Sequence, residues 1–139
     1  MAIFRAEDEA TVRELFDALE RPVELVVALG PEETPAHGAR DVDFGAETVR
    51  VVEELAALSD MVTSRVGEEA PRYPAVYVRP EGKEVGLRYD GLPWGYELSS
   101  LVGAIVEAGR RESSLRPESI EALGRLDRDL AIDVFVTPT

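Results

Sequence analysis

His37 is the only histidine of the chain. It stands in the run GPEETPAHGARDVDFG (30–45), which also carries Glu32, Glu33, Thr34, Asp41 and Asp43. An imidazole among carboxylates could hold a divalent cation or act as a general base oriented by an acid. The spacing matches no metal motif, and the run reads as a solvated loop with neither metal nor catalytic base. The adjacent pairs Glu32-Glu33, Glu53-Glu54 and Glu68-Glu69 are poor acid–base dyads, because neighbouring residues do not face each other on a helix. The chain contains no cysteine. That excludes disulfides, thiol nucleophiles, zinc–thiolate sites and iron–sulfur clusters within it. The glycines at 82, 86, 91 and 95 fall on a hairpin and its exit, not on the strand-to-helix turn that binds a dinucleotide. No cofactor is expected.

One stretch remains as a candidate contact. Leu92, Pro93, Trp94 and Tyr96 lie in the DGLPWGYE segment. Aromatic and proline side chains at such a connection either seal the end of a core or anchor a partner.

Charge and composition narrow the partner classes. The 139 residues carry 15 basic and 28 acidic side chains, a net charge of −13. An acidic chain without a Lys/Arg cluster is a poor ligand for nucleic acid or for an anionic membrane. No apolar run approaches the ~18 residues of a membrane span. The first residues, MAIFRAEDEA, lack the basic and apolar regions of a signal peptide, and a cytoplasmic protein is expected. Only Lys83 among the 15 basic residues is lysine, a usage compatible with a GC-rich or thermophilic genome.

The elements that would position these groups follow from periodicity. Val12, Leu15, Phe16 and Leu19 predict a helix over 8–20, with acids in the first turn where the helix dipole favours them. The Val-rich run 23–29, bounded by Pro22 and Gly30-Pro31, predicts a buried strand. Val49, Val52, Leu55 and Ala56 predict a helix over 46–59, and 61–66 a weaker strand. Residues 74–79 and 84–89, joined by Pro80-Glu81-Gly82-Lys83, predict an antiparallel hairpin, with Val85, Leu87 and Tyr89 on one face. A helix over 96–108 follows, with Gly109 as its C-cap. This order implies a mixed four-stranded α/β sheet with helices on both faces. Strand 23–29 is central and the charged strand 84–89 lies at an edge.

The C-terminal part repeats the beginning. Pro117-Glu118 starts a short helix with Ile120, Leu123 and Leu126, and a strand follows at 131–136 (AIDVFV). Under an offset of 107, Phe16, Leu19, Leu25, Val27, Leu29 and Pro31 meet Leu123, Leu126, Ile132, Val134, Val136 and Pro138. The chain therefore reads as one unit, 1–111, and the helix and strand, 112–139, of a second. A strand with Ile132, Val134 and Val136 on one face must pack back, join a sheet edge, pair with a second molecule or stay disordered. It is expected to be ordered by packing or pairing, with a homodimer through this strand as one outcome.

The segment YPAVYVRPEGKEVGLRYDGLPWGYELSSLVGAIVEAGRRES (73–114) resembles the hairpin and last helix of a thioredoxin-like unit. RPVELVVAL (21–29) and LAALSDMVTSRV (55–66) resemble the start of the same unit. The likeness is to the N-terminal unit of two related families. One is the thermophilic, glutaredoxin-like protein disulfide oxidoreductases. The other is the flavoprotein component of alkyl hydroperoxide reductase. LDRDLAIDVFVTPT (126–139) resembles their lead-in to a second unit, whose Cys-x-x-Cys would come just after Thr139.

The resemblance implies a thioredoxin-like fold and a cis-proline at Pro74, preceded by Tyr73, where a redox-active member binds its peptide. It also marks a departure. Where the first unit of a disulfide oxidoreductase can carry Cys-x-x-Cys, this chain reads GPEETPAHG. Thiol–disulfide exchange needs a thiolate, and a hydroxyl cannot replace it. The expectation is a non-catalytic module that docks a protein partner or a second thioredoxin-like unit in a disulfide/peroxide redox system. Tyr73, Leu92, Pro93, Trp94 and Tyr96 are its candidate contacts. The alternative is the N-terminal piece of a disulfide oxidoreductase or peroxide-reductase component whose cysteines lie beyond residue 139. A small acidic adaptor that self-associates through 131–136 is a third reading.

Overall fold

A computed structural model describes residues 4–30 and 42–136. The elements run α1 (Ala6–Asp17), β1 (Val23–Ala28), α2 (Phe44–Ala56), β2 (Val62–Val66), β3 (Ala75–Pro80), β4 (Arg88–Asp90), α3 (Tyr96–Ala108) and α4 (Pro117–Gly124). One sheet has the order β2-β1-β3-β4. β1 pairs parallel with β2 and antiparallel with β3, and β3 pairs antiparallel with β4. The Val-rich β1 is thus interior, as its composition predicts.

α1 opens with Glu7, Asp8 and Glu9 in its first turn, where the dipole stabilises acids. α2 is capped by Asp43, whose carboxylate accepts from the Ala46 backbone N–H at 2.9 Å. α3 ends at Gly109. That residue is not in a left-handed conformation (φ −79°). Its role is close approach, because a Cβ there would sit 2.3 Å from Leu19 Cδ2. The Gly109 carbonyl accepts from Glu20 and Arg21 N–H at 2.8 and 3.1 Å, tying the end of α1 to the end of α3.

Strand alternation sorts the side chains into two faces. Val23, Leu25 and Val27 of β1 join Val76 and Val78 of β3 in one cluster. The same cluster takes Val12 and Phe16 from α1, Val51, Val52 and Leu55 from α2, and Leu101, Val102 and Ile105 from α3. Glu24, Val26, Tyr77 and Arg79 alternate onto the other face. The mixed four-stranded sheet is as expected, but among the described residues its helical layer lies on one face instead of two. The reason is local. Only 67–74 connects β2 to β3, and with Gly67, Pro71 and Pro74 it is too short and too broken to form a crossover helix.

Two further expectations are corrected. The strand over 84–89 shrinks to Arg88–Asp90, and Val85 and Leu87 are exposed. Gly86 takes φ +76° while the Glu84 carboxylate accepts from its N–H at 2.6 Å, so the chain turns where its alternation predicts extension. Residues 131–136 form no strand. Ile132, Val134 and Val136 are 82%, 80% and 51% exposed. Within the single chain the segment pairs with no strand of the sheet and leaves these side chains exposed. α4 also buries no residue. Among the described residues, no helix is long and apolar enough to cross a membrane.

Candidate functional site

The outer face of the sheet carries a lattice of charge. Arg79 of β3 pairs with Glu68 at 3.0 Å and Glu84 at 2.7 Å. Arg65 of β2 reaches Glu68 at 3.2 Å and Glu24 at 3.4 Å. Arg88 and Arg72 share Asp90 at 2.6 and 3.3 Å. The Tyr77 ring lies 4.9 Å from the Arg79 guanidinium, a cation–π distance, and its hydroxyl donates to the Glu69 carbonyl at 2.8 Å. The arginines of this face are thus spent on carboxylates of the same chain.

The lattice sets the acid response. Hydrogen bonds from Arg79 and then Arg65 hold Glu68 below the usual carboxylate range. Arg79 and the Gly86 N–H do the same for Glu84, and Arg88 does so for Asp90 against the opposing effect of burial. Carboxyls whose folded pKa is depressed stabilise the fold fully above their unfolded pKa, and that contribution is lost as pH falls through the folded value. The melting temperature is therefore expected to fall on acidification between about pH 5 and pH 3. The fall should be shallower in Arg79→Met. Parallel melting curves for the two proteins across that range would remove the lattice from the explanation.

At the β4 end of the sheet lies a cavity of about 700 Å³. Arg72, Tyr73 and Pro74 line it from the lead-in to β3, Arg88–Asp90 from β4 with Gly91 just after it, and Phe44 from α2. Leu92, Trp94 and Glu97 close the α3 side, and residues 132–136 pass along the remaining one. The Tyr73–Pro74 peptide bond is cis. The Tyr73 ring covers Gly30 so closely that a Cβ there would lie 2.6 Å from it. Tyr73 and Trp94, which line it, are 38% and 41% exposed, and Trp94 also lines the groove between α1 and α3.

Tertiary structure sorts the candidate contacts. Tyr73, Leu92 and Trp94 share the cavity. Pro93 is buried and does not line it, and Tyr96, 76% exposed, is likewise outside its lining. Ile132, Val134 and Val136 line the cavity as an unpaired segment. Glu32, Glu33, Thr34, His37 and Asp41 lie outside the described residues, and the Asp43 carboxylate is engaged as a helix cap. Among the described residues no three acidic or histidine side chains gather as a metal site would require.

Sequence reasoning missed Tyr89 and Glu97. Glu97 is buried in the first turn of α3. The Tyr89 phenol, pushed well above its ordinary pKa by burial and then by its hydrogen bond to Glu97, stays protonated and donates to that carboxylate. The signal available was Glu97 at a helix start, two residues after the Pro93-Trp94-Gly95 turn. Gly91 and Gly95, read as the hairpin's exit, lie in the connection between β4 and α3, so they do occupy a strand-to-helix turn. Yet Glu97 N–H donates to the Trp94 carbonyl at 3.3 Å and Leu98 N–H to that of Gly95 at 3.2 Å. With a buried carboxylate at the same helix start, the turn does not suit a phosphate.

No protein-family model matches the chain. The sequence is similar to the F component of alkyl hydroperoxide reductase (AhpF) of Pseudomonas aeruginosa, 24% identical over 119 residues, covering 86% of this chain and 21% of that protein. The fold is that of AhpF from Enterococcus faecalis, with a TM-score of 0.75 at 19% identity over 90% of this chain and 62% of that one. It is also that of a protein disulfide oxidoreductase from Aeropyrum pernix, with a TM-score of 0.66 at 22% identity over 91% and 56%. The chain spans about a fifth of the length of the curated relative. The fold is thioredoxin-like, and both resemblances read from the sequence are found.

Proposed function

We propose, from its kinship with the N-terminal region of AhpF, that this chain is a non-catalytic thioredoxin-like module. It positions or docks a redox-active protein in a cytoplasmic disulfide/peroxide system. Residues 1–111 are the module, and 112–139 begin a second thioredoxin-like unit. One observation carries this reading. The chain has no cysteine, yet it keeps a cavity of about 700 Å³ edged by Tyr73, Leu92 and Trp94. Without a thiolate there is no nucleophile to open a disulfide. The aromatic edges still offer amphipathic anchors of the kind that dominate interfaces. The partner chemistry that fits is a thioredoxin-like unit bearing Cys-x-x-Cys, linked to this one or separate.

The second reading is a protein disulfide oxidoreductase or peroxide-reductase component whose cysteines lie further along. The match to AhpF of Staphylococcus epidermidis favours it, since it extends over 99% of this chain and only 25% of that protein. Reading the gene past codon 139 separates the two. An early Cys-x-x-Cys supports the second, and a stop codon the first.

The purified 139-residue chain is expected to show no turnover in insulin or glutathione-linked disulfide reduction, and to bind a reduced Cys-x-x-Cys unit in titration calorimetry. Turnover free of contaminating thioredoxin would overturn the non-catalytic reading. Absence of binding would overturn docking. Self-association through Ile132, Val134 and Val136 predicts a concentration-dependent dimer in light scattering.

A further inference from the structure

We propose that the groove between α1 and α3 docks a basic amphipathic helix of another protein, its apolar side chains in the groove and its Lys or Arg side chains on the acidic rim. The groove has a volume of about 890 Å³ and shares only Trp94 with the cavity beside Pro74. The two helices are tied at their C-terminal ends, where Leu19 lies against Gly109 and the Gly109 carbonyl accepts from Glu20 and Arg21 N–H. N-terminal to that junction, Leu15 of α1 faces the groove with Leu98, Val102 and Val106 of α3. Leu15 is 42% exposed. Gly103 lines the groove without a side chain, and a Cβ there would meet nothing within 4 Å. From Leu98 to Val106 the wall runs about 12 Å, two turns of helix. A third helix of that length presents residues i, i+3 or i+4, and i+7 on one side, and its ridge seats in the furrow between two others.

Charge selects the occupant. α1 carries Glu7, Asp8, Glu9, Glu14 and Asp17 against one basic residue, Arg13, and that arginine pairs with Glu9 at 2.9 Å. α3 adds Glu97 and Glu107 and no basic residue. Asp8 lines the groove, and Glu7 and Glu14, one turn to either side of the lining residue Thr11, extend the same wall. All three are exposed, and none makes an ion pair among the described residues. Arg50, the cation in the lining, is paired with Glu47. An exposed row of carboxylates beside an apolar furrow attracts a helix flanked by Lys or Arg and repels an acidic one. It equally repels a second copy of this chain, whose net charge is −13.

The probe is a fluorescently labelled, amidated peptide of about 14 residues, with leucines along one helical face and lysines flanking them. Anisotropy titration against the full 139-residue chain is expected to show saturable binding that weakens as salt is added. Gly103→Phe fills the groove from a position with open space above it, so it should keep the melting temperature and lose about tenfold or more in affinity. The surface variant Glu7→Gln/Asp8→Asn/Glu14→Gln should lose a similar factor and most of the salt dependence. Absence of binding would overturn the proposal. Equal binding of a scrambled peptide of the same composition would reduce the effect to bulk charge, and equal binding of a glutamate-flanked peptide would remove the acidic rim from it. Unchanged affinity in Gly103→Phe would place the peptide elsewhere on the chain. A concentration-dependent dimer that Gly103→Phe abolishes would assign the groove to a second copy instead. Neither Gly103 nor the three rim acids line the cavity beside Pro74, so these results stand apart from docking there.

Discussion

Phe16→Ala is expected to lower the unfolding free energy by about 3–5 kcal/mol. Phe16 is 1% exposed and sits where α1 meets the cluster shared by β1, β3 and α3. Its removal forfeits the transfer free energy of a phenyl ring and leaves a cavity that the closed α1–α3 junction at Gly109 is poorly placed to collapse. Domains of this size are stable by only about 5–15 kcal/mol, so the variant approaches unfolding at ordinary temperature. Leu15→Ala is the control. That neighbour is 42% exposed and should cost far less. Urea midpoints of the two variants decide the matter. A loss below about 1 kcal/mol for Phe16→Ala would mean that α1 is dispensable to the core.

Trp94→Ala is expected to weaken docking of a reduced Cys-x-x-Cys unit by about 2 kcal/mol, roughly thirtyfold in Kd. Trp94 fits the profile of an anchor, a large part-exposed ring that lines the cavity with Tyr73 and Leu92. Tyr96→Ala, two residues away but off the cavity, should leave Kd within about a factor of two. Calorimetric titrations of both variants provide the test. Loss at Tyr96 with binding intact at Trp94 would move the docking surface to the other side of the α3 start.

These two expectations draw on different amounts of sequence information. Phe16 was legible as core, because the 3.6-residue period of Val12, Phe16 and Leu19 marks a buried stripe whatever it packs against. Leu15 belongs to the same apolar series, yet it lies 42% exposed at the edge of the groove between α1 and α3. A stripe's width cannot be read without its neighbours. Trp94 was legible as a candidate contact by composition and position. That it shares a cavity with Tyr73 and Leu92 but not with Tyr96 depends on how α3 rotates against β4.

The departures have a common cause. Val85 and Leu87 alternate like a strand, but Glu84 bonds to the Gly86 N–H and bends the chain away. Ile132, Val134 and Val136 alternate in the same way and form no strand. A strand exists only where a neighbouring backbone accepts its hydrogen bonds, and no alternation supplies that neighbour. Glu97 stands at a helix start, where an acid is ordinary. Its burial against Tyr89 arises because β4 and α3 converge there.

The sequence by itself determined that these 139 residues hold no cysteine, so thiol exchange has no nucleophile within them. It also determined the mixed sheet and the interior place of β1, since a Val-rich run flanked by prolines has few other stable positions. Only the tertiary structure decided that the helices gather on one face and that an ion-pair lattice covers the other. It alone brought Tyr73, Leu92, Trp94 and the 132–136 segment around one cavity. Those outcomes depend on contacts between residues far apart in the chain, which local periodicity does not encode.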